Sequence, residues 1–220
     1  MSKTEPIRLL IAERRSIVRE GICNLVEGTD DVELAAAAAD SRETLSLARQ
    51  LRPDVVLLGT SVRGRGFFDT LRRIRAAKPE VPVIVLGGHR ESTHAERARS
   101  LGASGYLSDD IAFDDLLAAI RAVYAGRDYP RHASSETLDR LSSEPCDKPR
   151  HTRLSNREYE VLCLMGSGKG VSAIAPELGL STKTVSTYRS RLLRKLKLGS
   201  SAEIIRYAIE HKLVADTLGI

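Results

Sequence analysis

Residues 54–58, Asp54-Val55-Val56-Leu57-Leu58, lie between Pro53 and Gly59 as a short run that after Asp54 is apolar at four successive positions. A run of that length with no polar face fits a strand covered on both sides. Working outward from it, similar runs occur at Ile7 to Ala12, Val32 to Ala38, Val81 to Leu86 and Ser104 to Leu107. Amphipathic stretches separate them at Ser16 to Glu27 and near 41–52, 67–78 and 92–102, and a last one runs from Phe113 to Ala125. Five strands alternating with five helices predict an α/β fold, an open, doubly wound, five-stranded parallel sheet. Ligands and chemistry in such sheets sit beyond the carboxyl ends of the strands. Those ends are Glu13 to Arg15, Gly59 to Ser61, Gly87 to His89 and Ser108 to Asp110.

Beyond Gly126 the periodicity stops, and Pro130, Ser134, Ser135, Ser142, Ser143, Pro145 and Pro149 gather among charges up to Thr152. That composition marks a linker, with a short helix expected near 134–142. Ser155 followed by Glu158 then forms a capping box and opens a helix carrying Tyr159, Val161, Leu162 and Leu164. A short helix ending at Leu178, a turn at Gly179, a helix capped by Ser181 running to Leu196, and a last helix from Ser200 or Ser201 to His211 complete a helix-turn-helix pattern. Pro176 falls inside the second of these, so that helix is expected to begin late, capped by Ser172 or Ala173.

Charge divides along the same line. Residues 1–150 hold 23 Lys+Arg and 23 Asp+Glu, while residues 151–220 hold 11 and 6, so the net charge of +5 lies wholly in the C-terminal segment. At about 100° per residue, Leu192 and Leu196 fall within about 20° of Val185 and define a buried stripe. Lys183, Thr187, Ser190, Arg191 and Arg194 lie opposite, with Ser186 and Lys195 at the edges. Residues 178–202 contain no acidic residue, whereas an ordinary solvated helix face mixes both signs. Small hydroxyls among cations suit a major groove: Ser186, Thr187 and Ser190 are expected on base edges, and Lys183, Arg191, Arg194 and Lys195 on phosphates.

The chain resembles a NarL/FixJ-type response regulator with a LuxR-type helix-turn-helix. The resemblance rests on Leu154-Ser155-Asn156-Arg157-Glu158, Ile174-Ala175, Leu178-Gly179-Leu180-Ser181 and Lys183-Thr184-Val185 through Leu196 in the second half. In the first half it rests on Ile7 to Ala12, Val18-Arg19-Glu20-Gly21, Arg52-Pro53-Asp54 through Leu58 and Gly102 to Leu107. It implies a receiver-like, flavodoxin-like domain over 1–127, a linker over 128–151 and a small all-α DNA-binding domain over 152–220. It also implies that the last helix, with Ile204, Ile205, Ala208 and Ile209, serves in dimerisation.

The phosphorylation chemistry of a receiver calls for an acidic pair after the first strand, an aspartate after the third, a Thr or Ser after the fourth and a Lys after the fifth. The matching positions here are Glu13 and Arg14, Gly59, Gly87 and Asp109, of which only Glu13 suits. Glycine accepts no phosphoryl group, and Arg14 repels a divalent cation. The expectation is a degenerate receiver that neither binds magnesium nor is phosphorylated at the usual position, with an Arg14–Asp109 ion pair closing the pocket. Thr60, Ser61 and Asp69 are the neighbouring alternative acceptors.

Other readings are weaker. Hydrophobic residues make up 42% and charged residues 29% of 220, which supports a packed core. No apolar stretch approaches the roughly 20 residues of a membrane span, so a cytoplasmic location is expected. Cys23, Cys146 and Cys163 form no paired motif, and only Cys146 is a candidate exposed thiol. Gly166 to Gly170 resembles a phosphate loop but follows a helix, and His89, His94, His132, His151 and His211 lack metal-ligand spacing, so no enzyme, metal or cofactor is expected. The expected function is a DNA-binding transcription regulator acting without phosphorylation as a homodimer on an inverted repeat. A partner regulator, kinase or small-molecule ligand is left open. The alternative is an interaction module that heterodimerises with another regulator or docks a kinase.

Overall fold

The computed structural model describes residues 5–62, 64, 66–88, 92–127, 129, 149–211 and 213–214, without the side chains of 92 and 93. His89, His132, Cys146 and the expected helix near 134–142 lie outside the described residues. The chain divides into two compact units, Met1–Arg131 and His132–Ile220.

The first unit alternates β1 (Ile7–Ala12), α1 (Ser16–Glu27), β2 (Val32–Ala38), α2 (Ser41–Leu51), β3 (Val55–Gly59), α3 (Phe67–Ala77), β4 (Val83–Gly87), α4 (Ser92–Ser100), β5 (Gly105–Ser108) and α5 (Phe113–Tyr124). The strands form one sheet in the order β2-β1-β3-β4-β5, every pair parallel. Leu9, Ile11, Val55, Leu57 and Ile84 pack with Ile22 and Val26 of α1 and Leu116, Ile120 and Val123 of α5. The alternate positions Leu10, Val56, Leu58, Val83 and Val85 are just as buried, which is why the strands show no alternation in sequence. β3 begins one residue later than expected because Asp54 caps its entry, accepting from the Arg8 N–H at 2.8 Å. β4 likewise begins after Pro82, which has no N–H to give the ladder. Both strands also run one residue past their expected ends, so that Gly59 and Gly87 are their last positions. The chain order reverses between β1 and β3, where Ala12 pairs with Leu58, so Glu13 and Gly59 flank the switch-point crevice.

The second unit consists of a 3₁₀ turn at Arg150–Arg153 followed by α6 (Asn156–Gly166), α7 (Val171–Glu177), α8 (Thr182–Leu196) and α9 (Ser201–Glu210). The Ser155–Glu158 capping box is formed at the start of α6. Lys169 of the phosphate-loop look-alike instead donates to Glu177 at 2.7 and 2.9 Å, in a turn where Gly168 has φ +81°. The expected late start of α7 is corrected. Its N-cap is Gly170, whose carbonyl accepts from both Ala173 and Ile174 at 3.0 Å, so Pro176 is the sixth helical residue and not in the first turn. The helix tolerates it because the amide it lacks would have served the carbonyl of exposed Ser172. Pro176→Ala is therefore expected to stabilise this unit by about 1–2 kcal/mol, less than the full interior penalty because proline also restrains the unfolded chain. Thermal unfolding followed by far-UV circular dichroism checks this, and a lower midpoint would contradict it.

Candidate nucleic-acid interface and the pocket at the strand ends

Glu13, the first residue beyond β1, is 1% exposed. Its Oε1 accepts from the Arg15 backbone N–H at 2.7 Å, Arg15 Nε at 3.0 Å and Ser61 Oγ at 2.5 Å. Its Oε2 is buried with no hydrogen-bond partner among the described residues and rests against Gly59. A Cβ added at Gly59 would collide with that oxygen and lie 3.1 Å from Glu13 Cδ and 3.2 Å from the Ala12 carbonyl. A Cβ at Gly87 would collide with the Tyr106 hydroxyl and lie 2.7 Å from Thr60 Cγ2. At both glycines the space a side chain would need is taken, by Glu13 at 59 and by Tyr106 and Thr60 at 87.

The expected Arg14–Asp109 pair is also corrected. Arg15 makes it, with Nη1 donating to Asp109 Oδ2 at 3.1 Å while Nε holds Glu13. Arg15 is the N-cap of α1 in an extended conformation, which turns its side chain across the crevice; Arg14 is half-buried, its Nε without a partner among the described residues. The hydrogen bond to Glu13 leads in raising the Arg15 pKa above its ordinary value, against the opposing effect of burial, with Asp109 adding to it. One guanidinium therefore spans two carboxylates from the loops after β1 and β5. Of the alternative acceptors, Ser61 is committed to Glu13, and Asp69 accepts from Arg72 and Arg73 at 2.7 and 2.8 Å.

In the second unit α8 is capped by Ser181, which accepts from the Thr184 N–H at 3.1 Å. Val185, Leu192 and Leu196 are fully buried, the stripe that the periodicity predicts. Lys183, Ser186, Thr187, Ser190, Arg191, Arg194 and Lys195 are all exposed. Thr187 Oγ1 donates to the Lys183 carbonyl at 3.0 Å and Ser190 Oγ to the Ser186 carbonyl at 3.1 Å, which leaves their oxygen lone pairs outward. Arg191 lies 5.8 Å from the centre of the Tyr188 ring, a neighbour that helical periodicity does not reveal. Nor does it reveal Arg150, whose Nη1 donates to the Leu196 carbonyl at 3.0 Å and so caps α8. The Lys195 ammonium, expected on a phosphate, donates at 2.6 Å to Glu158, a carboxylate 3% exposed. On α9, Ile204 and Ala208 belong to the core, Ile205 is half-buried and Ile209 is 58% exposed, so only the last two face outward.

Burial alone would raise the Glu158 pKa; the Lys195 ammonium and the Ser155 hydrogen bonds outweigh it and hold the group below the ordinary carboxylate range. A carboxyl whose pKa falls on folding adds stability above its unfolded value and loses that share as the pH drops through its folded value. Lys195→Met is therefore expected to flatten the acid limb of the stability curve below about pH 4. Denaturant unfolding at a series of pH values checks it, and a limb as steep as that of the wild type would count against the pairing.

A parallel sheet with its crevice at the switch point, joined to a helix-turn-helix unit, defines the architecture of a response regulator. The response regulator receiver domain model matches residues 9–121, and the model for bacterial regulatory proteins of the luxR family matches 152–208. Response regulator GacA of Pseudomonas aeruginosa is 30% identical over 210 residues, 94% of this chain and 98% of that protein. UvrY of Escherichia coli K12 is 31% identical over 215 residues, 96% of this chain and 98% of that protein. Among solved structures, a LuxR-family response regulator from Aurantimonas sp. SI85-9A1 is 28% identical with a TM-score of 0.59, covering 64% of this chain and all of that one. Salmonella typhimurium RcsB, at 24% identity, shares the fold with a TM-score of 0.71 over 94% of this chain and 98% of its own. The chain belongs to the response-regulator family of transcription regulators, with a receiver domain followed by a luxR-type DNA-binding domain.

Proposed function

We propose that this response regulator binds specific DNA as a homodimer on an inverted repeat, without phosphorylation at the usual position. The observation that carries this reading is the Glu13 carboxylate lying where a phosphoacceptor side chain at position 59 would stand. A receiver so filled has no acceptor at position 59 and no room for one there, and Arg15, bridging Glu13 and Asp109, opposes a divalent cation between those carboxylates. The acid-free exposed face of α8 supports DNA binding through Ser186, Thr187 and Ser190 on base edges and Lys183, Arg191 and Arg194 on phosphates. The outward Ile205 and Ile209 of α9 supply apolar surface for a two-fold contact, which in turn calls for half-sites about one helical turn apart.

Sedimentation and DNA binding of the unmodified protein, with and without magnesium and acetyl phosphate, test this. A dimer that binds a selected duplex equally under all conditions is expected. Assembly or affinity that changes with the phosphodonor would overturn the phosphorylation-independent reading and leave DNA binding standing.

A further inference from the structure

We infer that Lys195 is a positioning residue of the DNA-reading surface and not one of its phosphate contacts, because Glu158 holds the last turn of α8 in place through it. This rests on the proposal that α8 reads DNA.

Glu158 is the third residue of α6, and its Oε2 accepts from the Ser155 backbone at 2.8 Å and from Lys195 Nζ at 2.6 Å. The same carboxylate thus closes the start of α6 and fastens the end of α8. Drawing Lys195 away toward a phosphate would leave a carboxylate 3% exposed with only the Ser155 amide to offset its charge, close to a polyanion. Lys183 and Arg194 carry no ion pair among the described residues and have no such tie to break.

Anchoring the last turn matters because of what α8 presents. Ser186, Thr187 and Ser190 reach only one bond beyond Cβ, so a small tilt of the helix withdraws their oxygens from base edges, while long cationic side chains still follow the phosphates. Loss of the anchor should therefore be felt on the specific site and not on arbitrary DNA.

The test uses the full chain, a duplex recovered by selection from a random-sequence pool, and a scrambled duplex of the same composition, each titrated across a salt series. Lys195→Met is expected to bind the selected duplex roughly tenfold more weakly, bind the scrambled duplex as the wild type does, and keep the wild-type salt slope. Lys195→Arg should restore the selected site. Arg194→Met, the comparison, should weaken both duplexes and reduce the slope by about 0.9, the share of a single neutralised phosphate. If Lys195→Met weakens both duplexes and flattens the slope as Arg194→Met does, Lys195 is a phosphate contact and the inference fails. It also fails if both affinities are unchanged and only the thermal midpoint falls. Should Lys195→Met not fold, Glu158→Gln, which keeps an acceptor for the Ser155 amide, must show the same selective loss. A wild-type chain that binds neither duplex overturns the DNA reading itself, and this inference with it.

Discussion

Gly59→Ala is expected to destabilise the receiver by about 1–3 kcal/mol, the range for forcing extra atoms into a packed site. Gly59→Asp should cost more. The added Cβ meets the Glu13 carboxylate and the Ala12 carbonyl, and neither can retreat cheaply. Glu13 is held by three hydrogen bonds from Arg15 and Ser61, and Ala12 is paired on both sides within the sheet. Aspartate adds a second carboxylate in contact with the first, and like charges at that distance do not both ionise without a cation between them. Gly59→Asp is thus expected to yield a less stable protein that takes no phosphoryl group from acetyl phosphate. Glu13→Ala in the Gly59→Asp background should recover much of the lost stability, a coupling that a double-mutant cycle on denaturant midpoints measures. Additive effects at 13 and 59 would show that the two side chains do not compete for one volume.

The second large effect is expected at the cationic face. Replacing Lys183, Arg191 and Arg194 together by alanine should weaken DNA binding about a hundredfold per subunit near 0.15 M salt, with the difference closing toward 1 M. Each neutralised phosphate gives a slope of about −0.9 in log affinity against log salt, so removing three cations flattens the dependence by nearly three. The three residues are exposed and none supplies core packing, so folding should be unaffected. Fluorescence anisotropy across a salt series, with circular dichroism as the folding control, reads both quantities. An unchanged slope would remove these residues from the interface.

The fold is legible in the sequence because it rests on pattern. Runs such as Val55 to Leu58 show how many faces a strand buries, and the Val185, Leu192 and Leu196 stripe shows which side of α8 turns inward. The glycines at 59 and 87 are also visible there. What occupies their place is not, since it depends on the conformations of Glu13 and Tyr106, side chains that arrive from other strands. Whether Arg14 or Arg15 meets Asp109 turns on a single residue at the α1 cap, finer than a charge-matching argument can resolve. Lys195 escapes the sequence for a related reason. Helical periodicity sets it at the edge of the cationic face, but only the packing of α6 against α8 puts a buried carboxylate within its reach.

The packing of Glu13 against Gly59 also constrains which substitutions this pair of positions admits. The space beside Gly59 is taken, so an aspartate at 59 is expected to be harmful while Glu13 stands next to it. A glycine-bearing chain with Glu13 cleared, in turn, loses a buried residue that ties Arg15 and Ser61 together. Both single changes are expected to lower stability, so positions 13 and 59 are expected to tolerate change together better than either does alone.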